Sequence, residues 1–585
     1  VHATLRHFLA SSASKAGRNH APAELGARTV ADVFLPPFEM ALLDGGARSV
    51  MNAYQEIDGV PVASSAEHLT GVLRERLGFD GVLVSDYFAV AFLQMTQQVA
   101  VDRADAARLA LEAGIDVELP NADAFPALVS MVRDGSLDEA LVDRAVLRVL
   151  AQKEELGLLD ATFDEPSPTE VDLDSPEHRA VALALAEESV VLLSNDGVLP
   201  LTGRRSAPAA VAVIGPNADR GEALMGCYSF VNHVLAHHPQ VESRLALPTV
   251  LEALTGELAE LAPPATVRFA RGCAVEGTDR TGFDEAVALA ARRDVAVVGV
   301  GDQAGLFGRG TVGEGNDSES LDLPGVQREL VEAVAATGTP VVLVLLTGRP
   351  YVIDWALDGP GAIGAVLQAF FPGEEGATAV ARVLSGRVNP SGRLPVTLPR
   401  STGAQPYSYL HPFLGGPNEV TANDNSPVRP FGFGLSYTTF EHQDLTADAE
   451  VDAGSSFVAD VLVTNTGEVP GTDVVQLYAR DVVASVTRPL AQLLGYQRVE
   501  LAPGEQVTVR FVVPTARLAF TDRTMTKVVE PGEVELWVGG SCADKQTRAT
   551  IAVTGLTYLV TTADPRIVAT EVLRETSVAA ATRGS

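Results

Sequence analysis

The stretch Gly78–Val90, GFDGVLVSDYFAV, runs a short apolar segment into Ser85, Asp86 and Tyr87. Ser and Asp are ordinary chain-turning residues, so a strand ending in a cap explains the pattern when it is taken alone. Its surroundings say more. Across residues 1–160, "HATLRHF", "SVMNAY", "GVLVSDY" and "IDVELP" each predict a parallel strand that ends in polar residues. Amphipathic stretches such as "EHLTGVLRERLG" and "RADAARLALEAG" lie between them, with apolar residues at helical spacing. Alternation of this kind predicts a parallel sheet wound or closed by helices, and a (β/α)8 barrel carries its active groups at the C-terminal ends of its strands. A barrel needs eight strands over about 250 residues. With about four in view, residues 1–160 are expected to be the C-terminal part of a TIM-like barrel, lacking its first half and leaving open sheet edges.

The bulk composition narrows the class. At 585 residues the chain is too long for one core and predicts several domains. Hydrophobic residues make up 46% and charged residues 20%, as in folded globular proteins. The formal charge of −32 comes from scarce lysine rather than from surplus acid, and it argues against a nucleic-acid partner or an anionic membrane. Cys227, Cys273 and Cys542 are far apart and predict neither a zinc site nor a disulfide framework. No apolar run reaches membrane-spanning length, so no membrane partner is expected. The start, "VHATLRHFLASSAS", lacks the charged-then-apolar order of a signal peptide and does not begin with Met. The expectation is a removed leader or a fragment, with the true N-terminus absent, a lean to the cytoplasm, and a homo-oligomer left open.

Farther along, residues 161–180, rich in Pro, Asp and Ser, predict a linker. Residues 181–400 predict an α/β sandwich domain, because "AVAVIG", "DVAVVGVG" and "PVVLVLLTG" are the wholly apolar strands of a sheet covered on both faces. Residues 401–440 form a loop-rich connection. From 441 to 556 short alternating strands ("FVADVLVTNTG", "DVVQLYARD", "QVTVRFVVP", "VELWVGG") predict an antiparallel β-sandwich. Residues 557–585 are a C-terminal tail that either docks as a helix or frays.

Asp86 is not the only polar group at a strand end in the first domain. Arg6 and His7, Asn52 and Tyr54, and Asp116 and Glu118 end the neighbouring strands, and such convergence suggests a pocket for a sugar. One carboxylate cannot both attack an acetal carbon and protonate its leaving group, so a second carboxyl group is needed. The glycine-rich stretch "GDQAGLFGRGTVGEGNDSESLDLPG" offers Glu314, Asp317, Glu319 and Asp322, and chemistry alone does not choose among them. It holds no GxxxxGK[ST] motif, and "VIGPNADRG" holds no GxGxxG, so phosphate-cradling and dinucleotide readings are disfavoured.

These residues resemble glycoside hydrolase family 3, of the β-glucosidase and β-xylosidase type. The similarity runs through "ATLRHF", "LPPFEMAL", "SVMNAYQEIDGVP", "LRERLGFDGVLVSDY", "AGIDVELP", "ESVVLLSNDGVLPL", "TVGEGNDSESLDLPG", "FFPGEEG", "NPSGRLPVTLP" and "PFGFGLSYTTF". It implies a multidomain α/β protein: a partial (β/α)8 barrel, an α/β sandwich, then a fibronectin-III-like β-sandwich. It also implies that Asp86 is the nucleophile and Glu314 the general acid/base, brought by the second domain to a pocket on the barrel. By the same resemblance Arg6 and His7 hold sugar hydroxyls, Met51 walls the pocket, Tyr54 contacts the nucleophile, and Tyr87 flanks the leaving group. The implied activity is exo-acting and retaining. Terminal β-D-glucosyl or β-D-xylosyl residues would leave an oligosaccharide or an aryl or alkyl β-glycoside by double displacement, with the carboxyl groups about 5–5.5 Å apart. No metal or organic cofactor is required. Two departures stand out: Arg6 replaces the family's Lys, a planar fork for a point charge, and the early barrel strands are missing. They motivate an alternative, an inactive truncated hydrolase or a non-catalytic carbohydrate-binding remnant. An N-acetylglucosaminidase is disfavoured, since "RHFLASSAS" lacks its His/Asp loop.

Overall fold

The computed structural model describes residues 1–160, 171–202, 207–243, 245–358, 361, 363–405 and 407–574. Ten residues of the expected linker, 161–170, and the last eleven of the tail, 575–585, lie outside the described residues. The chain divides into two compact units, of which the first comprises Val1–Val171, Ala519–Val529 and Tyr558–Ile567.

In the first unit three strands, Thr4–Phe8, Ser49–Asn52 and Val82–Val84, form a parallel sheet in that order. Each is followed by helix, which is the repeat of a (β/α)8 barrel. The helix Arg103–Ala113 shows why. Asp102 caps it by accepting from the Asp105 N–H at 2.8 Å, and its inner face of Ala106, Ala107, Ala110 and Leu111 is buried. Gly114, at φ 126°, ends it. The expected fourth strand, "IDVELP", is reduced to one bridge, Val84 to Val117. Backbone bonds still join the two segments, from the Asp116 N–H to the Leu83 carbonyl at 2.8 Å, from the Ser85 N–H to the Val117 carbonyl at 2.8 Å and from the Phe88 N–H to the Leu119 carbonyl at 2.9 Å, and side chains add two more. The Leu83 N–H donates to the Asp116 carboxylate at 2.9 Å, and the Leu119 N–H donates to the Ser85 hydroxyl at 2.8 Å.

Two distant segments complete this unit. Phe520–Thr521, Lys527–Val529 and Tyr558–Leu559 make a small antiparallel sheet. Asp32 accepts from the Thr521 N–H and hydroxyl, and Arg28 donates to the Thr521 and Asp522 carbonyls. The buried Glu39 pairs with Lys527 at 2.7 Å and lies 3.7 Å from Arg566, which also reaches Asp44.

The second unit holds a six-stranded sheet in the order Val191–Asn195, Ala365–Gln368, Val341–Leu346, Val295–Gly301, Ala210–Ile214, Thr266–Ala270. Neighbours are parallel except the first pair. Its strands are buried on both faces because successive residues serve two cores. Val298, Val300, Leu343 and Leu345 pack under the helix Gln327–Ala335, while Val297, Val342, Val344 and Leu346 pack under Val250–Ala259 and Gly376–Ser385.

The same unit contains the β-sandwich. One sheet runs Phe440–Ala447, Ser456–Asn465, Gln506–Pro514, Ala569–Leu573; the other runs Glu450–Asp452, Thr547–Thr554, Gly532–Gly539, Gly471–Asp481, Gln492–Leu501. Alternate residues are buried, as in Phe457, Ala459, Val461 and Val463. The described part of the tail adopts strand, at Tyr558–Leu559 and Ala569–Leu573, and not helix. Its β-branched residues Thr570 and Val572 suit the antiparallel ladder that they enter beside Gln506–Pro514.

Candidate active site

Asp86 follows the strand Val82–Val84 and is buried, with 5% of its surface exposed. Its backbone N–H donates to Asn52 Oδ1 at 3.2 Å, which ties it to the end of the neighbouring strand. Oδ1 of its carboxylate accepts from the Tyr87 N–H at 2.7 Å and lies 3.1 Å from the Tyr54 hydroxyl. That hydroxyl also reaches the Tyr87 carbonyl at 2.8 Å, and the Tyr54 ring packs on His20 with centroids 4.1 Å apart.

The other oxygen, Oδ2, is different. His7 Nε2 stands 3.2 Å from it, yet Arg6 Nε donates to that same ring nitrogen at 2.7 Å. A nitrogen that accepts from Arg6 has no proton for Asp86. Oδ2 is therefore a buried carboxylate oxygen without a hydrogen bond among the described residues. The carboxylate thus engages donors through one oxygen and keeps lone pairs uncommitted on the other, which is what a nucleophilic carboxylate requires.

The structure thus brings Arg6, His7, Tyr54 and Tyr87 around Asp86. Met51 sits in the strand Ser49–Asn52 and is buried, while Tyr87 is exposed. It does not bring in the last strand-end pair. Asp116 is committed to Arg74 at 2.7 Å, Arg148 at 2.9 Å and the Leu83 N–H. Burial depresses Arg74 to a pKa of about 10 against the pull of Asp116. Glu118 accepts from the Ala124 and Phe125 N–H groups. Both carboxylates hold the chain together; the expected convergence of their side chains on Asp86 is corrected by the partners they keep instead. Asn52 was named only as a strand-end group, and its hold on the Asp86 backbone gives it a part in placing that carboxylate.

Glu314 belongs to the second unit. Its loop leaves the strand Val295–Gly301, which lies beside Ala210–Ile214. Numbered along the chain after Val191–Asn195, the five parallel strands stand in the order 2-1-3-4-5. The chain reverses direction across the sheet between these two strands, and open α/β sheets bind ligands off the C-terminal ends at such a point. The loops after both strands meet there. Asn217, after the first, donates to the Asp302 carbonyl at 3.0 Å, and Tyr228 donates to Glu314 Oε2.

The loop is braced from within. Buried Asp302 accepts from Thr311 at 2.6 Å, Tyr351 at 2.5 Å and the Gly348 N–H at 2.8 Å. Burial, then the Asp302 charge, pushes the Tyr351 phenol well up, so it stays a donor. Asn316 donates to the Gly305 and Val312 carbonyls and accepts from the Gly308 N–H at 2.7 Å. Arg349 donates to the carbonyls of Thr311 and Asn316. Gly313, at φ 124°, has no space for a side chain: a Cβ would lie 1.9 Å from the Gly305 carbonyl oxygen. Of the four candidate carboxylates Glu314 is half-buried, while Asp317, Glu319 and Asp322 are exposed. Tyr228 carries no motif that would have marked it in sequence; only the sheet order does. Among the described residues no cluster of three His, Cys, Asp or Glu could hold a metal ion.

Comparison with known proteins follows the same division. The N-terminal domain of glycosyl hydrolase family 3 matches residues 1–152, its C-terminal domain residues 190–437, and a fibronectin type III-like domain residues 473–542. A β-xylosidase of Formosa agariphila is 37% identical, over 92% of this chain and 74% of its own. A periplasmic β-glucosidase of Salmonella typhimurium is 34% identical, over 92% and 72%. The solved β-glucosidase of Erythrobacter marinus superposes with a TM-score of 0.84 at 35% identity, covering 95% of this chain and 74% of that one. The chain belongs to glycosyl hydrolase family 3.

Proposed function

We propose that this chain is an exo-acting retaining β-glycosidase that removes terminal β-D-glucosyl or β-D-xylosyl residues from oligosaccharides and from aryl or alkyl glycosides. The family is one support, since relatives of both specificities resemble it over nine-tenths of its length. The observation that carries the assignment is the asymmetry of Asp86: one oxygen is hydrogen-bonded, the other is buried without a hydrogen bond.

In this assignment Asp86 Oδ2 forms a bond to the anomeric carbon as the glycosidic bond breaks, and the Glu314 proton passes to the departing oxygen. Water then attacks the glycosyl-enzyme from the face the leaving group left. Glu314 takes its proton, the bond to Asp86 breaks, and the β configuration returns. Tyr54 and the Tyr87 N–H stabilise the carboxylate in the free enzyme and on its release. Arg6 and His7 supply donors to sugar hydroxyls, Met51 presents an apolar wall, and Tyr87 offers an exposed ring to the leaving group. Tyr228, bonded to Glu314, fixes which of its oxygens carries the proton.

The test is hydrolysis of p-nitrophenyl β-glucoside, β-xyloside and α-arabinoside by the chain and by two variants. Azide should restore turnover to Glu314→Ala by replacing water, giving a β-glycosyl azide. If azide instead rescues Asp86→Ala and yields the retained product, the two roles are misassigned.

A further inference from the structure

A cavity of about 390 Å³ opens in the second unit, between the loop-rich connection and the β-sandwich. Its size falls within the roughly 300–1,000 Å³ of small-molecule sites. None of its lining residues is Asp86, Glu314 or a residue bonded to either. Tyr407, Tyr409, Phe413, Pro427 and Leu490 give it flat apolar walls. Tyr409 is held in place, stacked on Phe431 with centroids 4.1 Å apart and planes at 8°, and accepting from the Leu493 N–H.

One cation in this wall is unmatched. The Arg480 guanidinium makes no hydrogen bond or ion pair among the described residues. Its cross-strand partner is Glu535, the natural counter-charge. Glu535 is already taken on both oxygens, by Lys545 at 2.9 Å and by Arg548 at 3.5 Å. Three cations thus surround one carboxylate, in a protein whose formal charge is −32. A guanidinium left without an anion beside an aromatic wall is matched to a planar, bidentate acid.

The other polar groups do not suit a neutral sugar. Asn425 spends both amide protons on the Gln405 and Gly415 carbonyls and keeps a single acceptor, a buried Oδ1 without a hydrogen bond; His411 Nδ1 faces the Pro412 carbonyl, and Lys545 lies on Glu535 and over the Trp537 ring. A ring with many hydroxyls would leave most of them unpaired here. We propose that this cavity binds a small aromatic carboxylate, with the ring between Tyr409 and the proline-rich wall and the acid on Arg480.

Fluorine NMR of 4-fluorobenzoate with the full chain tests this. Saturable broadening is expected, weakened about tenfold in Arg480→Met and about tenfold for 4-fluorobenzamide, which keeps the shape but not the charge. Leu490→Trp, which fills the cavity and leaves Arg480 intact, should abolish broadening as well, and serves if Arg480→Met does not fold. Both variants should hydrolyse p-nitrophenyl glycosides as the parent does. Absence of broadening in the parent, equal affinity for benzamide, or full affinity in both variants overturns the proposal. Displacement by gluconolactone would move the ligand to the hydrolytic pocket, and tighter binding of glucuronate would replace the aryl acid with a sugar acid; either result also overturns it.

Discussion

Asp86 and Glu314 are two carboxyl groups fixed by opposite means. Asp86 stands at the end of a parallel strand, where the ladder itself sets the backbone and Asn52, Tyr54 and the Tyr87 N–H add to it. Glu314 sits in a long loop with no ladder beyond a single bridge, Ala304 to Val312. Its position depends on side chains that substitute for one: Asp302, Asn316 and Arg349. A strand-borne group is sensitive to what touches it. A loop-borne group is also sensitive to residues that hold only backbone.

The sharpest test of the strand side is Asp86→Ala, expected to lower kcat by about 10⁴-fold or more with unchanged thermal unfolding. A fall of less than about tenfold would remove the nucleophile from the comparison altogether. Glu314→Ala comes next, with a loss of about 10²–10⁴-fold on alkyl glycosides and a smaller one on p-nitrophenyl substrates, whose leaving group needs less protonation. Equal losses on the two substrate types would deny Glu314 its role as acid. The contrast itself is tested by Asn316→Ala, which touches no proposed catalytic atom. It should lower kcat/KM by about 10–100-fold while the melting temperature moves little, because three backbone groups of the loop lose their partner. Wild-type kinetics in that variant would break the comparison. Tyr54→Phe should cost about tenfold, the worth of one hydrogen bond to a charged group.

The smallest effect separates the two units by their buried charges. In the first, Asp116 lies between two guanidinium groups, Arg74 and Arg148. In the second, Asp473 lies between Arg393 at 2.9 Å and His442 at 2.7 Å. Burial opposes the charged imidazole of His442, but Asp473 outweighs it and raises the pKa above the ordinary value. Burial likewise opposes ionisation of Asp473, and His442 and Arg393 reverse that, holding it below the usual carboxylate range. A raised His stabilises the fold in full below about pH 6.5 and loses that contribution as pH rises through its folded value. A depressed Asp contributes above about pH 4 and loses it on acidification. Thermal stability should therefore decline from neutral into mildly alkaline buffer, and His442→Gln should flatten that decline. An equally steep decline in His442→Gln would place the titrating group elsewhere.

Much of this was legible in the residues. Apolar runs such as Val341–Leu346 and the alternation of Ser456–Asn465 mark their sheets, because period and burial are local properties of a strand. Asp86 was legible for the same reason, as a charge placed where a strand stops. Asp116 was misread from that very pattern: whether a strand-end carboxylate meets a ligand or two arginines depends on Arg74 and Arg148, which come from other turns of the chain. Tyr228 and Asn316 left no periodic trace, since loop braces follow from sheet order and not from spacing. Least legible of all was the reach of residues 519–529 and 558–567 back to Asp32, Glu39 and Asp44.

That last reach has a consequence for how the protein is made. Glu39 is translated about 500 residues before its cationic partners Lys527 and Arg566. At ordinary elongation rates of about 5–20 residues per second, the nascent chain waits on the order of 25–100 s with this acid uncompensated. The unit that holds Asp86 therefore cannot close until those segments are made, and a ribosome that stalls before residues 558–567 leaves that unit unfinished.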